Sequence, residues 1–404
     1  MGKIQKTGRD RDNFKTRSVP VADPAQVGDL LSVETIGWTL YLLAVAMIPA
    51  SYFFNEIVTE YYWSKTLWGV LLFPTSLILA IWSAAQKGKL VWRDSYVALP
   101  FLVFFVICVA SLGWASNIWK GIERGVQISG GFFAFWAGMH YLNSRKRLKQ
   151  VLYLSIFVAF GITFYGLMQY AEIYYLPRDQ YKNADPSTTI GLTNFVVEYL
   201  DVLMALIPIL ILTEKRIWMR LLLAIQGGVI LYYFLIADNR AGYLALIAEI
   251  IFVGVVGSLI VARKADLIHV SRKRYFQVIG GVLALGAVLL VATPTGSKVV
   301  ERMSTITQFK QDASIRFRIE TWKQCVQNMI PHNWAIGVGM ANVEVDFPLY
   351  YTDFLEGMTL RHNTRVVRTH NDYIQVMVDL GLLGLIPFLW FLVGLMRKIG
   401  RAHV

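Results

Sequence analysis

Apolar runs of membrane-crossing length alternate with short polar connections along most of the chain. A helix needs about 20 apolar residues to cross a bilayer. The runs at 36–54, 67–85, 97–115, 122–142, 151–170, 195–212, 217–237, 242–262, 276–293 and 374–396 meet or approach that length. In lipid, every backbone polar group must be satisfied within the segment, so each run is predicted to be a helix. The fold class expected is an all-α, polytopic membrane helix bundle of about ten spans. One polar stretch between apolar spans is much longer than the others, 294–373. The expected organisation is a cytoplasmic basic tail at 1–33, a transmembrane bundle of about nine helices at 34–293, a large, partly helical outer loop at 294–373, and a final transmembrane helix with a cytoplasmic end at 374–404.

Charge sets the orientation. Basic residues crowd alternate connections: Lys87 to Arg93, Arg145 to Lys149, Lys215 to Arg220, Arg263 to Arg274, and Arg397 to Arg401. The positive-inside rule puts these, and the basic tail, in the cytoplasm. The connections at 55–65, 116–121, 171–189 and 238–241, with the long stretch at 294–373, then face outward, into the periplasm of a Gram-negative cell. The tail lacks the apolar core of a signal peptide. Tyr61, Tyr62, Trp63, Tyr174, Tyr175, Tyr350 and Tyr351 lie near span ends, where aromatic side chains anchor at the interface.

Composition agrees. The chain is 55% hydrophobic and 16% charged, against about 25% charged in soluble domains. The net charge of +12 is accounted for by the cytoplasmic connections, so no nucleic-acid partner is expected. Cys108 lies in an apolar run and Cys325 in the outer loop, which gives no disulfide framework. No HExxH, DxD or paired carboxylates at ligand spacing occur in the outer loops, so no metal site is expected.

The outward segments hold the groups with chemical potential. Arg240 lies in a tight outer turn, Asp238-Asn-Arg-Ala-Gly242. Its guanidinium fork suits phosphate oxygens, although pairing with Asp238 or snorkelling to headgroups accounts for it too. Arg318 and Trp322 share a face if Ser314 to Trp322 is helical, with Arg316 beside them. Pro331 ends that helix, and Gly337 and Gly339 permit a tight turn. His370 and Asn371 sit at the mouth of the last span. Histidine near neutral pH suits a general base, and Asn371 suits a helix cap or a sugar hydroxyl. A lone histidine is more often structural, but Arg365 and Arg368 beside it make a coherent transfer site. His332 and His362 are rivals for the base. Acids at 343–357 read as a solvated or acceptor-facing segment. Glu198 and Asp201 are candidates to pair with Arg240 or Arg124, and Glu249 lies deeper.

Taken in order, these motifs resemble the O-antigen ligase family of bacterial envelope glycosyltransferases. The similar features are the arginine turn at Arg240, the Arg318…Trp322 spacing, the Pro331…Gly337-x-Gly339 turn, and His370-Asn371 before Asp379-Leu-Gly-Leu-Leu-Gly384. Tyr165-Gly-Leu-Met-Gln-Tyr170 in the fifth span is also similar. The likeness runs from about Ser111 to the end. There are two departures. Arg368 stands where the family often has a second histidine. The family also commonly has about twelve spans, where about ten runs of sufficient length are found here.

The resemblance implies transfer of a glycan from a polyprenyl-diphosphate carrier to a lipid A–core sugar hydroxyl, at the periplasmic face of the inner membrane. It implies His370 as base, Arg240 and Arg318 as diphosphate ligands, and Arg316, Arg365, Arg368, Asn371 and His362 as accessory residues. It also implies inversion, with no cofactor and no metal. An O-antigen polymerase or a protein O-oligosaccharyltransferase would share these motifs and differ in acceptor. A flippase would instead place charges deep in several spans, whereas here they gather at the outer face.

Overall fold

A computed structural model describes residues 32–52, 61–88, 96–173, 186–268, 271–292, 296–297, 299, 301, 313–362 and 365–401. The long helices are α1 Val33–Ala50, α2 Tyr61–Gln86, α3 Ala98–Ala110, α4 Ile118–Tyr141, α5 Arg145–Tyr170, α6 Thr193–Thr213, α7 Ile217–Ile236, α8 Arg240–Ile268 and α9 Arg272–Ala292. The outer segment follows with α10 Ala313–Gln324, a π-helical turn Cys325–Met329, and the short helices α11 Ile330–Asn333 and α12 Val343–Asp346. Then come α13 Asp353–His362 and the terminal α14 Asp372–Arg401. The protein is an all-α polytopic membrane bundle.

Among the described residues, eight helices are long and apolar enough to cross a membrane: α1, α2, α5, α6, α7, α8, α9 and α14. The two further spans expected from the sequence correspond to α3 and α4. At 13 residues α3 is short, because the chain turns out of it through a 3-10 turn at Ser111–Gly113. Its C-terminal Ser111 hydroxyl donates to the Cys108 carbonyl at 2.7 Å. Helix α4 is long but carries Lys120, Glu123 and Arg124 in its first two turns.

Polar clamps join the ends assigned to the cytoplasm. Glu34 on α1 accepts from Lys87 after α2 and from Arg147 on α5, the latter at 2.6 Å. The Arg147 guanidinium lies 5.4 Å from the Trp38 ring centroid. Between α6 and α7, Glu214 accepts from the Tyr153 hydroxyl at 2.5 Å and from the Lys215 and Arg216 amides. These bonds, that of Tyr153 first, hold its carboxyl down at about 2. Arg274 Nη2 donates to the carbonyls of Ile211 and Glu214, both at 2.8 Å, which ties α9 to the same corner.

Within the bundle, packing holds the helices together, since lipid tails are as apolar as the side chains. One cluster joins α1, α2 and α4 around Tyr41, Phe73 and Tyr141. Another joins α5, α6 and α7 around Ile156, Leu200, Ile230 and Phe234.

The outer segment has a hydrophobic core of its own, made by Phe317, Cys325, Met329, Val343, Phe347, Leu355 and Val366. Burying a side chain of this size from water contributes about 1.5–3 kcal/mol. The stretch at 343–357 is therefore solvated only in part: Asp353 and Glu356 are exposed, but one side of it is packed. Val343, Phe347 and Leu355 are fully buried, while Glu344 pairs with Lys120 at 3.0 Å and Asp346 accepts from Ser116 at 2.9 Å. Alternating apolar residues fill the core and the acids reach back to α4. Cys325 sits in that core, and burial pushes its thiol up to about 12. Cys325 and Cys108 are both buried and free.

The last helix is broken. At Gly381, φ is 61° and ψ is −160°, which divides α14 into an outer part and a longer inner part. The Pro331…Gly339 turn fills the break. Val338 and Gly339 amides donate to the carbonyls of Val378 and Asp379, at 3.0 and 2.8 Å. In return, Leu382 and Leu383 amides donate to the carbonyls of Trp334 and Ala335, at 2.8 and 3.0 Å. The two strips of backbone satisfy one another where the helix cannot. A Cβ on Gly337 would come 2.3 Å from the Asp379 carbonyl carbon, and one on Gly381 would come 2.4 Å from that of Ala335. Close approach and positive φ together account for glycine at both positions.

Candidate functional site

The mouth of α14 brings together residues from four helices. Asn371 caps the helix, its Oδ1 accepting from the amides of Tyr373 and Ile374 at 3.1 and 3.3 Å. His370 precedes it in the left-handed region, at φ 56°. A non-glycine residue held there costs of order 1–3 kcal/mol and persists only where its surroundings impose it.

Those surroundings are explicit. The Trp322 indole N–H donates to the Thr369 carbonyl at 2.6 Å. The Thr369 amide donates to Gln375 Oε1 at 2.9 Å, and its hydroxyl donates to the Asn371 carbonyl at 2.9 Å. Thr369 is fully buried while His370 is exposed. The ring is thus presented at the surface by a fixed backbone. Burial, and then the positive charges of Arg318 and Arg368, hold the imidazole below its ordinary 6.5.

Helix α10 contributes Arg318, half-buried and one turn before Trp322. Helix α6 contributes Glu198, within electrostatic reach of both Arg318 and Asp372. Helix α4 contributes Arg124, whose Nη1 donates to Gln127 Oε1 at 3.0 Å and which lies within reach of Arg368, Asp372 and Asp379. Sequence reading placed Arg124 only as a partner for membrane acids. Its approach to Arg368 follows from docking of α4 on the outer segment, which spacing along the chain does not reveal. The dock is Asn342: it is fully buried, and its Oδ1 accepts from the Asn117 amide at 2.6 Å.

Arg240 is the first residue of α8. Asn239 before it caps the helix, accepting from the Gly242 amide at 2.9 Å, and donates across to Asn194 on α6 at 2.7 Å. Asn194 and Glu198 are four residues apart on α6, so one face of that helix meets both the Arg240 turn and the Arg318 side.

The accessory residues divide. Arg368 joins the His370 cluster. Arg365 is exposed in the same strand of loop. Arg316 stacks on the Phe354 ring of α13, 4.1 Å from its centroid, which gives it a packing role. His332 Nδ1 is 2.6 Å from the Asn328 carbonyl on its own helix. His362 ends α13, and its side chain lies outside the described residues. Among the described residues, no three His, Cys, Asp or Glu side chains converge as ligands for a metal ion.

A family model described as O-antigen ligase matches residues 228–389. Over these residues, less than half of the chain, the sequence is similar to the O-antigen ligase family. The match begins in α7, takes in Arg240, Arg318 and His370, and continues past the break in α14. That likeness is to proteins of the ligase or polymerase kind, and the long apolar helices fit a multi-pass membrane protein. No curated protein and no solved structure matches the chain.

Proposed function

We propose that the protein transfers a glycan from a polyprenyl-diphosphate carrier to a sugar hydroxyl of lipid A–core, at the periplasmic face of the inner membrane. The observation that carries this reading is an exposed His370, presented by a fixed backbone turn with Arg318 and Arg368 nearby. His370 takes the proton of the acceptor hydroxyl. The acceptor oxygen attacks the anomeric carbon as the bond to the carrier phosphate breaks, which inverts that centre. Charge grows on the departing diphosphate, and Arg318 and Arg240 hold it through bidentate contacts. Arg368 and Arg365 draw anionic lipid toward the mouth. The glycosyl–diphosphate bond already carries the driving force, so the reaction as proposed uses no nucleotide and no metal.

A cavity of about 310 Å³ supports the lipid part of this reading. It lies between α6, α7, α8 and α9, lined by Met204, Ile207, Leu231, Leu246, Val253 and Leu285, with Glu249 an acid on its wall. Arg240 begins the same helix that supplies Leu246, so a carrier held by its diphosphate at Arg240 has an apolar slot beneath it.

Deletion of the gene in its host tests the acceptor. The proposal expects lipopolysaccharide without its O-antigen ladder and accumulation of carrier-linked glycan. Core capped by single repeats would instead favour a polymerase. An unchanged ladder with loss of a protein-linked glycan would favour a protein O-oligosaccharyltransferase.

A further inference from the structure

The break in α14 and the base are joined by one side chain. Gln375 lies on the outer part of α14, one turn after Asn371 and one turn before Asp379. Its Oε1 accepts from the Thr369 amide at 2.9 Å, and its Nε2 donates to Asp379 Oδ2 at 2.9 Å. Asp379 is buried, and its own backbone carbonyl is the acceptor for Gly339 at the break. The path runs without interruption from the docked Gly337–Gly339 turn, through Asp379 and Gln375, to Thr369. The residue after Thr369 is His370, in its left-handed conformation.

We propose that Gln375 is the positioning residue of His370. A carboxamide accepts from the Thr369 N–H at one end and donates to a carboxylate at the other whatever the pH. A carboxylate there would keep the first bond, lose the second, and face Asp379 with like charge. Both bonds are partly buried, where such bonds are stronger than in water and costly to leave unmet. Gln375 fixes the backbone turn that aims the imidazole, acting through Thr369. The inference rests on the reading of His370 as the base.

The test exchanges the two groups. Gln375→Glu alone, and Gln375→Glu combined with Asp379→Asn, are purified and assayed with carrier-linked glycan and lipid A–core extracted from the host. Melting temperature in detergent is read for each. In the double variant the introduced asparagine donates to the introduced carboxylate, which still accepts from Thr369. The single variant is expected to lose about 10- to 100-fold in kcat with the KM for the donor unchanged, as misaimed groups do. The double variant is expected to recover most of that loss. A single variant with wild-type kcat per folded molecule overturns the inference, and so does a double variant no faster than the single. Failure of the underlying reading shows separately, as a His370→Asn protein that still transfers glycan.

Discussion

Trp322 and Thr369 are 47 residues apart, yet the indole N–H of one meets the carbonyl of the other at 2.6 Å. That bond fixes α10 against the loop that ends in His370. It brings Arg318, one turn before Trp322, to the side of the imidazole. Trp322→Phe keeps an aromatic side chain, smaller than indole, and removes the donor. Loss of a buried hydrogen bond costs about 1–3 kcal/mol when a carbonyl is left unmet. The variant is expected to fold and to lose transfer rate, read as kcat in a reconstituted assay.

The charges around His370 give a pH signature. A group whose pKa is depressed stays neutral to lower pH, and a base is lost only as pH falls through that depressed value. The acid limb of kcat/KM is therefore expected below 6.5, the ordinary histidine value. Arg318→Gln removes one of the causes, so its acid limb moves upward. A pH profile of both proteins checks this, and a limb that moves downward contradicts it.

Arg240→Lys retains charge and loses the fork. If diphosphate is held bidentately at the head of α8, the lysine variant raises the KM for the carrier-linked donor and slows transfer. An unchanged donor KM would assign Arg240 to headgroups instead. Filling the cavity below it, by Gly228→Trp, is expected to raise the donor KM as well and to leave acceptor KM unaltered.

The backbone exchange at the break sets a stability prediction. Gly381→Ala places a Cβ against the Ala335 carbonyl and forces an L residue to φ 61°. That combination of φ and ψ is essentially confined to glycine and costs another residue on the order of 1–3 kcal/mol, before the clash. The variant is expected to melt lower in detergent than wild type, and lower than Gly357→Ala, where nothing lies within 4 Å of the added carbon.

The sequence made the all-α architecture visible, and the reasons are physical. Spans announce themselves because lipid demands long apolar runs, and basic connections reveal their sides. His370, Asn371, Arg318 and Trp322 stood out as candidates by residue type and local spacing, and the structure places them near one another. Local spacing cannot express docking between distant segments. The break at Gly381 reads as continuous apolar helix until the Gly337–Gly339 turn is seen filling it. Arg124 gains its place only when Asn342 seats α4 on the outer segment. The acids at 344 and 346 hid a buried apolar ladder, because polar residues between Val343 and Phe347 dominate a linear reading.

The central claim is that His370 is the base for glycan transfer. Its most direct measurement is the single-turnover rate of purified protein, with extracted carrier-linked glycan and lipid A–core, comparing wild type with His370→Asn. Asparagine accepts the left-handed backbone, so the turn survives while the titrating ring is removed. The account predicts a fall of about 100-fold or more for a lost general base, with donor binding retained. A His370→Asn protein that transfers glycan at the wild-type rate would contradict it.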